Sequence, residues 1–208
     1  MKKITTALTI ILGSSLFSAN AAVTAQSGLF ITGGLGVGVL KTGLLTEPEE
    51  GTQSNNQDVA WTTGLGYQQA LNQNFSLGLE VGYGQLGRAY SDDGNGDDGI
   101  IEDIKNTAWH FIANGTYLWS NGLNVSVDAG GVTVTQTEDQ TIFGTPYDYS
   151  YTGTRFAGGL GIGYQFTQHF GTKLTWMRVF GYSNTDSEFD GSMIMTSDDY
   201  LLNLYYTF

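Results

Sequence analysis

From Gly28 to the end of the chain the dominant hydrophobic period is two, the repeat of β-strands whose two faces meet different surroundings. In the first such stretch Leu29, Ile31, Leu35, Val37 and Val39 share one parity, while Thr32, Gly34, Gly36 and Gly38 hold the other. The pattern recurs with Phe75, Leu77, Leu79, Val81 and Tyr83 against Ser76, Gly78, Glu80, Gly82 and Gly84. It recurs again with Leu123, Val125, Val127 and Ala129 against Asn124, Ser126, Asp128 and Gly130. Three short polar turns, Leu71-Asn72-Gln73-Asn74, Ser120-Asn121-Gly122 and Thr167-Gln168-His169, are separated by stretches long enough for two strands and a loop. Longer acidic connections are predicted at about 41–57, 91–104, 139–149 and 184–197. Three short and four long connections imply eight strands, an even number that brings both ends of the sheet to the same side.

Periodicity alone does not say whether the oily parity faces a core or a lipid. Three features choose lipid. Aromatic residues such as Trp61, Tyr83, Trp109, Tyr117, Trp119, Phe166, Phe170, Trp176 and Phe208 cluster toward strand ends, as interfacial girdles do. The opposite parity is rich in Gly, which suits the narrow lumen of a small barrel better than the interior of a sandwich. The chain also stops on an aromatic residue in mid-pattern, with Tyr200, Leu202, Leu204, Tyr206 and Phe208 on one parity. The predicted fold class is all-β, an eight-stranded antiparallel up-and-down transmembrane β-barrel.

Composition narrows the function classes. The 208 residues include 30 Gly, 2 Pro and 0 Cys, so disulfides and cysteine-ligated metals are excluded. Lys and Arg number 8 against 20 Asp and Glu, a formal net charge of −12 that argues against a nucleic-acid ligand. Lys2 and Lys3, the apolar stretch Ile4 to Phe17 and the small residues Ala19-Asn20-Ala21 have the layout of a secretory signal peptide, residues 1–21. Cleavage after Ala21 would leave residues 22–208 as a barrel domain and remove two of the lysines.

The segments Gly34-Leu35-Gly36-Val37-Gly38, Gly64-Leu65-Gly66-Tyr67-Gln68, its echo Gly161-Ile162-Gly163-Tyr164-Gln165, and the terminal Tyr206-Thr207-Phe208 together resemble the small outer-membrane β-barrel family. That family includes the OmpA-type transmembrane domain, OmpX-like proteins and opacity-type barrels, and the resemblance covers about residues 28–208. It implies a Gram-negative outer-membrane location with both mature termini periplasmic, and outer-membrane lipid and the barrel-assembly machinery as partners. It also implies that Leu202, Leu204, Tyr206 and Phe208 form an assembly signal. The peptidoglycan-binding domain of full-length OmpA-type proteins has no counterpart after Phe208.

On lumen parity, Glu80, Asp128, Arg155 and Lys173 put two acids and two bases into a Gly-, Ser- and Thr-lined interior, where buried charges need partners. The resemblance implies that such a network occludes the lumen, and a small gated ion channel is the alternative. Eighteen of the 20 acidic residues fall in the long connections or the strand tips beside them, giving an acidic outer rim. Within it Asp93, Asn95 and Asp97 have the one, three, five spacing of a calcium loop, although Asp98 interrupts the expected Gly and Ile104 stands where a bidentate Glu belongs. Weak calcium binding is the one cofactor this pattern suggests. No Ser, His and acid set with catalytic spacing is present on the predicted outer patch, so no enzymatic role is assigned. Tyr147, Tyr149 and Tyr151 suit a recognition surface, and the remaining function readings are a surface adhesin for host or phage ligands and a soluble periplasmic sandwich.

Overall fold

A computed structural model describes residues 23–41, 53–92, 100–181 and 196–208. The signal-peptide segment 1–21 and the calcium-loop residues Asp93, Asn95 and Asp97 lie outside the described residues. The strands are β1 (Gly28–Lys41), β2 (Gln53–Asn55), β3 (Gln57–Ala70), β4 (Phe75–Asp92), β5 (Ile100–Leu118), β6 (Leu123–Ile142), β7 (Thr145–Gln165), β8 (Phe170–Val179) and β9 (Thr196–Thr207). Every pairing is antiparallel, β1 lies beside β3, each strand from β3 to β9 lies beside the next, and β1 closes the sheet by pairing with β9. The short β2 bonds only to the outer end of β4 and precedes β3 by one residue, so eight strands build the wall.

The oily parity faces outward. Leu29, Ile31, Leu35 and Val37 on β1, Leu77, Leu79 and Val81 on β4, and Leu202, Leu204 and Tyr206 on β9 are all exposed. Their neighbours on the other parity turn into the lumen. Aromatic rings form two belts around this band. At the short-turn end Tyr117 meets Trp119, Phe166 meets Phe170, and Tyr206 meets Phe208 at centroid distances of 4.9, 5.7 and 5.1 Å. At the other end Tyr83 lies between Trp61 and Trp109, at 6.0 and 5.0 Å, and Phe156 stacks on Phe180. Tyr117 and Trp109 stand eight positions apart on β5, roughly 27 Å along a strand, which after tilting matches the apolar band of an outer-membrane barrel.

Two expectations about connections need correction. Residues 139–149 are not a loop: β6 and β7 run through them in unbroken register to Ile142↔Thr145, and only Phe143 and Gly144 turn. Both have positive φ, 49° and 75°, the geometry of a tight hairpin turn whose twist matches the strands. Thr, Tyr and Gln dominate these arms, and such residues pair well in a sheet wetted on its outer face, so the acidic residues between them did not mark a loop. Likewise β5 begins at Ile100, inside the connection expected at 91–104.

One irregularity shapes the interior. Between Gln85↔Thr107 and Gly87↔Asn106 the β4–β5 register slips, leaving Leu86 as an extra residue, with Gly87 at φ +121°. The bulge inverts the parity of β4, so Ala89 points inward where Tyr83 had pointed outward. Leu86, on the inward parity just before the slip, is buried in the lumen.

Candidate functional site: a polar lumen and a projecting wall

The lower lumen is polar. Asp128 on β6 and Lys173 on β8 face one another, with Nζ 3.4 Å from Oδ2 and 3.5 Å from Oδ1. Ser126 Oγ also reaches Asp128 Oδ2 at 3.5 Å. Glu80 on β4 accepts a hydrogen bond from Thr32 Oγ1 at 3.0 Å and lies 3.2 Å from His110 Nε2 on β5. Gly64 and Gly82 make room for this second pair, since a Cβ at Gly64 would collide with the Glu80 carboxylate and one at Gly82 with the His110 imidazole. A cavity of ≈ 110 Å³ lies between the pairs, also lined by Asn114, Asn203 and Tyr205.

Three of the four sequence-predicted lumen charges are therefore in the chamber, and Arg155 is not. Arg155 sits on β7 opposite Val132, higher in the barrel, and its Nη1 donates to the Thr154 carbonyl at 3.0 Å. No carboxylate among the described residues lies within ion-pair distance of it, because the side chains at its level are apolar. His110 takes the place expected for a second base. Its lumen parity was legible in the sequence; its pairing with Glu80 across β4 and β5 needed the register.

The chamber is bounded at both ends. Above it Leu86, Ile112, Val132, Val134, Met177 and Val179, with Ala108 and Ala157, form an apolar layer. The Leu86 bulge is tied across to β9, where Ser197 Oγ lies 3.0 Å from the Leu86 carbonyl and 3.0 Å from Asp199 Oδ2. Gly38 of β1 lies so close to the Leu86 carbonyl that a Cβ there would collide with it. Below, the segment preceding β1 crosses the mouth. Ala25 N donates to Gln73 O at 2.9 Å and Val23 N to Ser120 O at 3.4 Å, reaching the β5–β6 turn diametrically opposite β1. Val23 is buried there. Nothing in the sequence pattern marked either the bulge or this strap.

Outside the apolar band, β4, β5, β6 and β7 continue as a four-stranded wall, with the short β2 added along the end of β4. On β6 the outward row changes from Leu123, Val125, Val127 and Ala129 to Thr133, Thr135, Thr137, Asp139 and Thr141. About ten residues of strand lie beyond the change, roughly 33 Å along the strand. Thr133 meets Thr154 and Thr135 meets Thr152 by hydroxyl bonds of 3.1 and 3.2 Å. Arg88 donates to both oxygens of Asp103 at 2.6 Å, and Lys105 links Asp103 to Asp139 at 3.2 and 3.6 Å. Burial pushes the Asp103 carboxyl up, but the Arg88 and Lys105 hydrogen bonds outweigh it and hold the group below the usual range.

Glu138 is held differently. Burial, reinforced by the neighbouring Glu102 carboxylate, pushes Glu138 up to about 7. Gln140 Nε2 donates to Glu138 at 2.6 Å. Asp148 stands directly opposite Asp139 across β6 and β7. Tyr149 and Tyr151 lie parallel, 6.5 Å between centroids, with Tyr149 paired to Glu138 in register. Of the two histidines, His110 is in the chamber, and His169 Nδ1, at a short turn, donates to the Thr207 carbonyl at 2.8 Å.

Solved structures share this architecture. Ail, the attachment invasion locus protein of Yersinia pestis, is 14% identical, with a TM-score of 0.51 over 88% of this chain and 100% of its own. The same protein in complex with the heparin analogue sucrose octasulfate aligns equally, at 0.51 over 99% of its chain. Neisserial surface protein A is 11% identical, with a TM-score of 0.52 over 88% of this chain and 98% of its own. These identities are low enough that the likeness concerns the fold. Among curated proteins no sequence matches significantly. Residues 9–208, almost the entire chain, match the outer membrane protein beta-barrel domain. The chain belongs to that family and is an outer-membrane β-barrel protein.

Proposed function

We propose that this barrel is a cell-surface contact protein with an occluded lumen, presenting its four-stranded wall to ligands outside the cell. The observation that carries the reading is the extension of β4–β7 well beyond the outward apolar band, with a threonine-rich outer surface and a row of tyrosines on the inner one. A barrel that served only to span the membrane needs no such extension. The chain's acidity sets it apart from a receptor for polyanions: a net charge of −12 repels a polysulfate of the kind seen bound to Ail.

The reading is tested by joining Thr135 to Thr152 through a two-residue Asn-Gly turn, which removes the outer half of the β6–β7 hairpin. The shortened protein should still insert and show the heat-dependent gel mobility of a folded barrel. Cells expressing it should lose attachment to host-cell monolayers and adsorption of phage. Unchanged attachment and adsorption would overturn the reading.

A gated ion path is the lesser reading, since the apolar layer and the Val23–Gln26 strap stand at the two ends of the chamber. Single-channel recording of the unmodified protein should give no steady conductance. The same proposal places both ends of the mature chain in the periplasm, where the short turns lie, with the wall outside. Leu202, Leu204, Tyr206 and Phe208, all outward on β9 or just beyond it, then meet lipid and serve the assembly machinery as its signal. Deleting Phe208 should slow insertion in cells more than refolding in detergent.

A further inference from the structure

The β6–β7 turn carries a residue that its backbone disfavours. Phe143 has φ 49° and Gly144 φ 75°, the left-handed pair of a two-residue hairpin turn, where Asn, Asp and Gly fit and a bulky side chain is strained. The fold gives the ring little cover in return: Phe143 is 70% exposed, more than any large apolar residue of the lipid-facing band. Strain at an exposed turn points to a use for the side chain outside the molecule. The apolar character extends to its sequence neighbours Ile142, Pro146 and Tyr147, and no residue from Gln140 to Tyr147 is charged. The apolar band of the barrel lies roughly 33 Å behind the turn by strand length, so the protein's own membrane does not cover the apex.

We propose that this apex enters an apposed bilayer whose head groups are phosphocholine. The proposal rests on the surface-contact reading and names what the wall touches. The order of side chains down the hairpin matches the order of layers in such a leaflet. At the apex Phe143 and Ile142 suit the acyl boundary. Next come Gln140, Thr141, Thr145 and Tyr147, neutral groups that donate hydrogen bonds to ester and phosphate oxygens. Three residues below Ile142 and Thr145, about 10 Å along the strands, Asp139 and Asp148 stand opposite one another on the outer face. Lys105 already answers Asp139, so Asp148 meets the incoming cation. On the inner face Tyr149 is paired with Glu138, and its ring lies parallel to that of Tyr151. Acid and aromatic faces are what a trimethylammonium group seeks. In phosphatidylcholine that group lies outermost, across a head-group layer about 5–8 Å deep. A convex apex also fits a fluid layer, which needs no preformed pocket. The same acids repel an anionic leaflet, and from Leu123 to Thr154 there is no Lys or Arg to offset them.

The test uses the full-length barrel in nanodiscs of phosphatidylglycerol, so that phosphatidylcholine is met only on added vesicles. At physiological salt the nanodisc lipid, so far behind the apex, is screened from the vesicle. The chain has 0 Cys, so Thr145→Cys takes a single environment-sensitive fluorophore beside the apex. Phosphatidylcholine vesicles should bind saturably and shift the label to the blue, and phosphatidylglycerol vesicles should do neither. Phe143→Asn should weaken vesicle binding at least tenfold, the worth of one buried aromatic side chain. Because Asn suits the left-handed turn, this variant keeps the hairpin, and heat-dependent gel mobility reports that the barrel is folded. Phe143→Trp should bind at least as tightly as the unmodified protein. Asp148→Lys should weaken binding to phosphatidylcholine severalfold and create binding to phosphatidylglycerol.

Absence of vesicle binding by the unmodified protein would overturn the proposal. So would equal binding by Phe143→Asn, binding without a blue shift of the label, or equal binding of the two lipids. Cells that lose attachment with Phe143→Asn although the unmodified protein ignores vesicles would mean that a protein pocket, and not lipid, takes the ring. Cells in which the hairpin deletion abolishes attachment while Phe143→Asn leaves it intact would uphold the surface-contact reading and remove the apex from it. Attachment unaffected by either would remove both.

Discussion

One strand, β6, passes through two solvents, and its two halves are built inside out relative to each other. From Leu123 to Ala129 the aliphatic residues face outward while Asn124, Ser126 and Asp128 are buried in the lumen. From Val132 upward the order reverses: Thr133 and Thr135 face out, and Val132 and Val134 are buried. The reversal falls at Gly130-Gly131, and the hydrogen-bonded register does not change across it. Burying apolar area means removing it from water, so the oily face turns toward whichever side is dry. Against lipid that side is the exterior; above the membrane it is the interior. The same inversion occurs on β5, where outward Phe111 and Trp109 give way to Thr107, Lys105 and Asp103, while Ile104 and Ala108 turn inward.

The largest test of this contrast strikes the polar half of the lumen. Lys173→Met leaves Asp128 buried without its cation and should destabilise the barrel by about 3–5 kcal/mol in equilibrium unfolding from bilayers. Adding Asp128→Leu should recover most of the loss, because two apolar groups leave no charge stranded. A single variant as stable as the parent would mean that water, and not Lys173, satisfies Asp128.

Next in size is the position of the boundary itself. Leu79→Arg puts a charge on the lipid face near the middle of the band and should cost about 2–4 kcal/mol. Thr135→Arg, on the same outward surface but in the wall, should stay within about 0.5 kcal/mol of the parent. Equal losses at the two sites would place Thr135 in the membrane and dissolve the distinction between the halves.

The smallest effect concerns Glu138 in the wall. Glu138 titrates near 7 in the folded protein against 4.5 ordinarily, so the folded state holds its proton longer than the unfolded chain does. A raised carboxyl pKa weighs against folding increasingly as pH climbs from about 4.5 to 7, and fully above that. Glu138→Gln should therefore stabilise the wall at pH 8 by about 1 kcal/mol, after allowance for solvent screening at this partly exposed site, and have no effect at pH 4. Hydrogen exchange of the β5–β6 amides at the two pH values measures it. A gain equal at both would assign the effect to packing.

The sequence by itself determined the strand repeat, the outward face, the aromatic belts and the three short turns, because each depends on a side chain's solvent and its parity, and both are local. It also put Glu80, Asp128 and Lys173 into the lumen for the same reason. The inversion at Gly130-Gly131 was legible too, as a shift of the apolar residues from odd to even positions. Three things only the tertiary structure decided. Height in the barrel separated Arg155 from the other charges, since lumen parity says which face a residue takes and not at what level it meets strands distant in sequence. The Leu86 bulge and the Val23–Gln26 strap bound the chamber through contacts across its width, Leu86 with Ser197 and Val23 with Ser120, which no periodicity encodes. The third is how far the wall projects: β8 stops at Val179 while β7 continues to Thr145, and where one strand outlasts its neighbour is a matter of register between segments, settled only when the sheet closes.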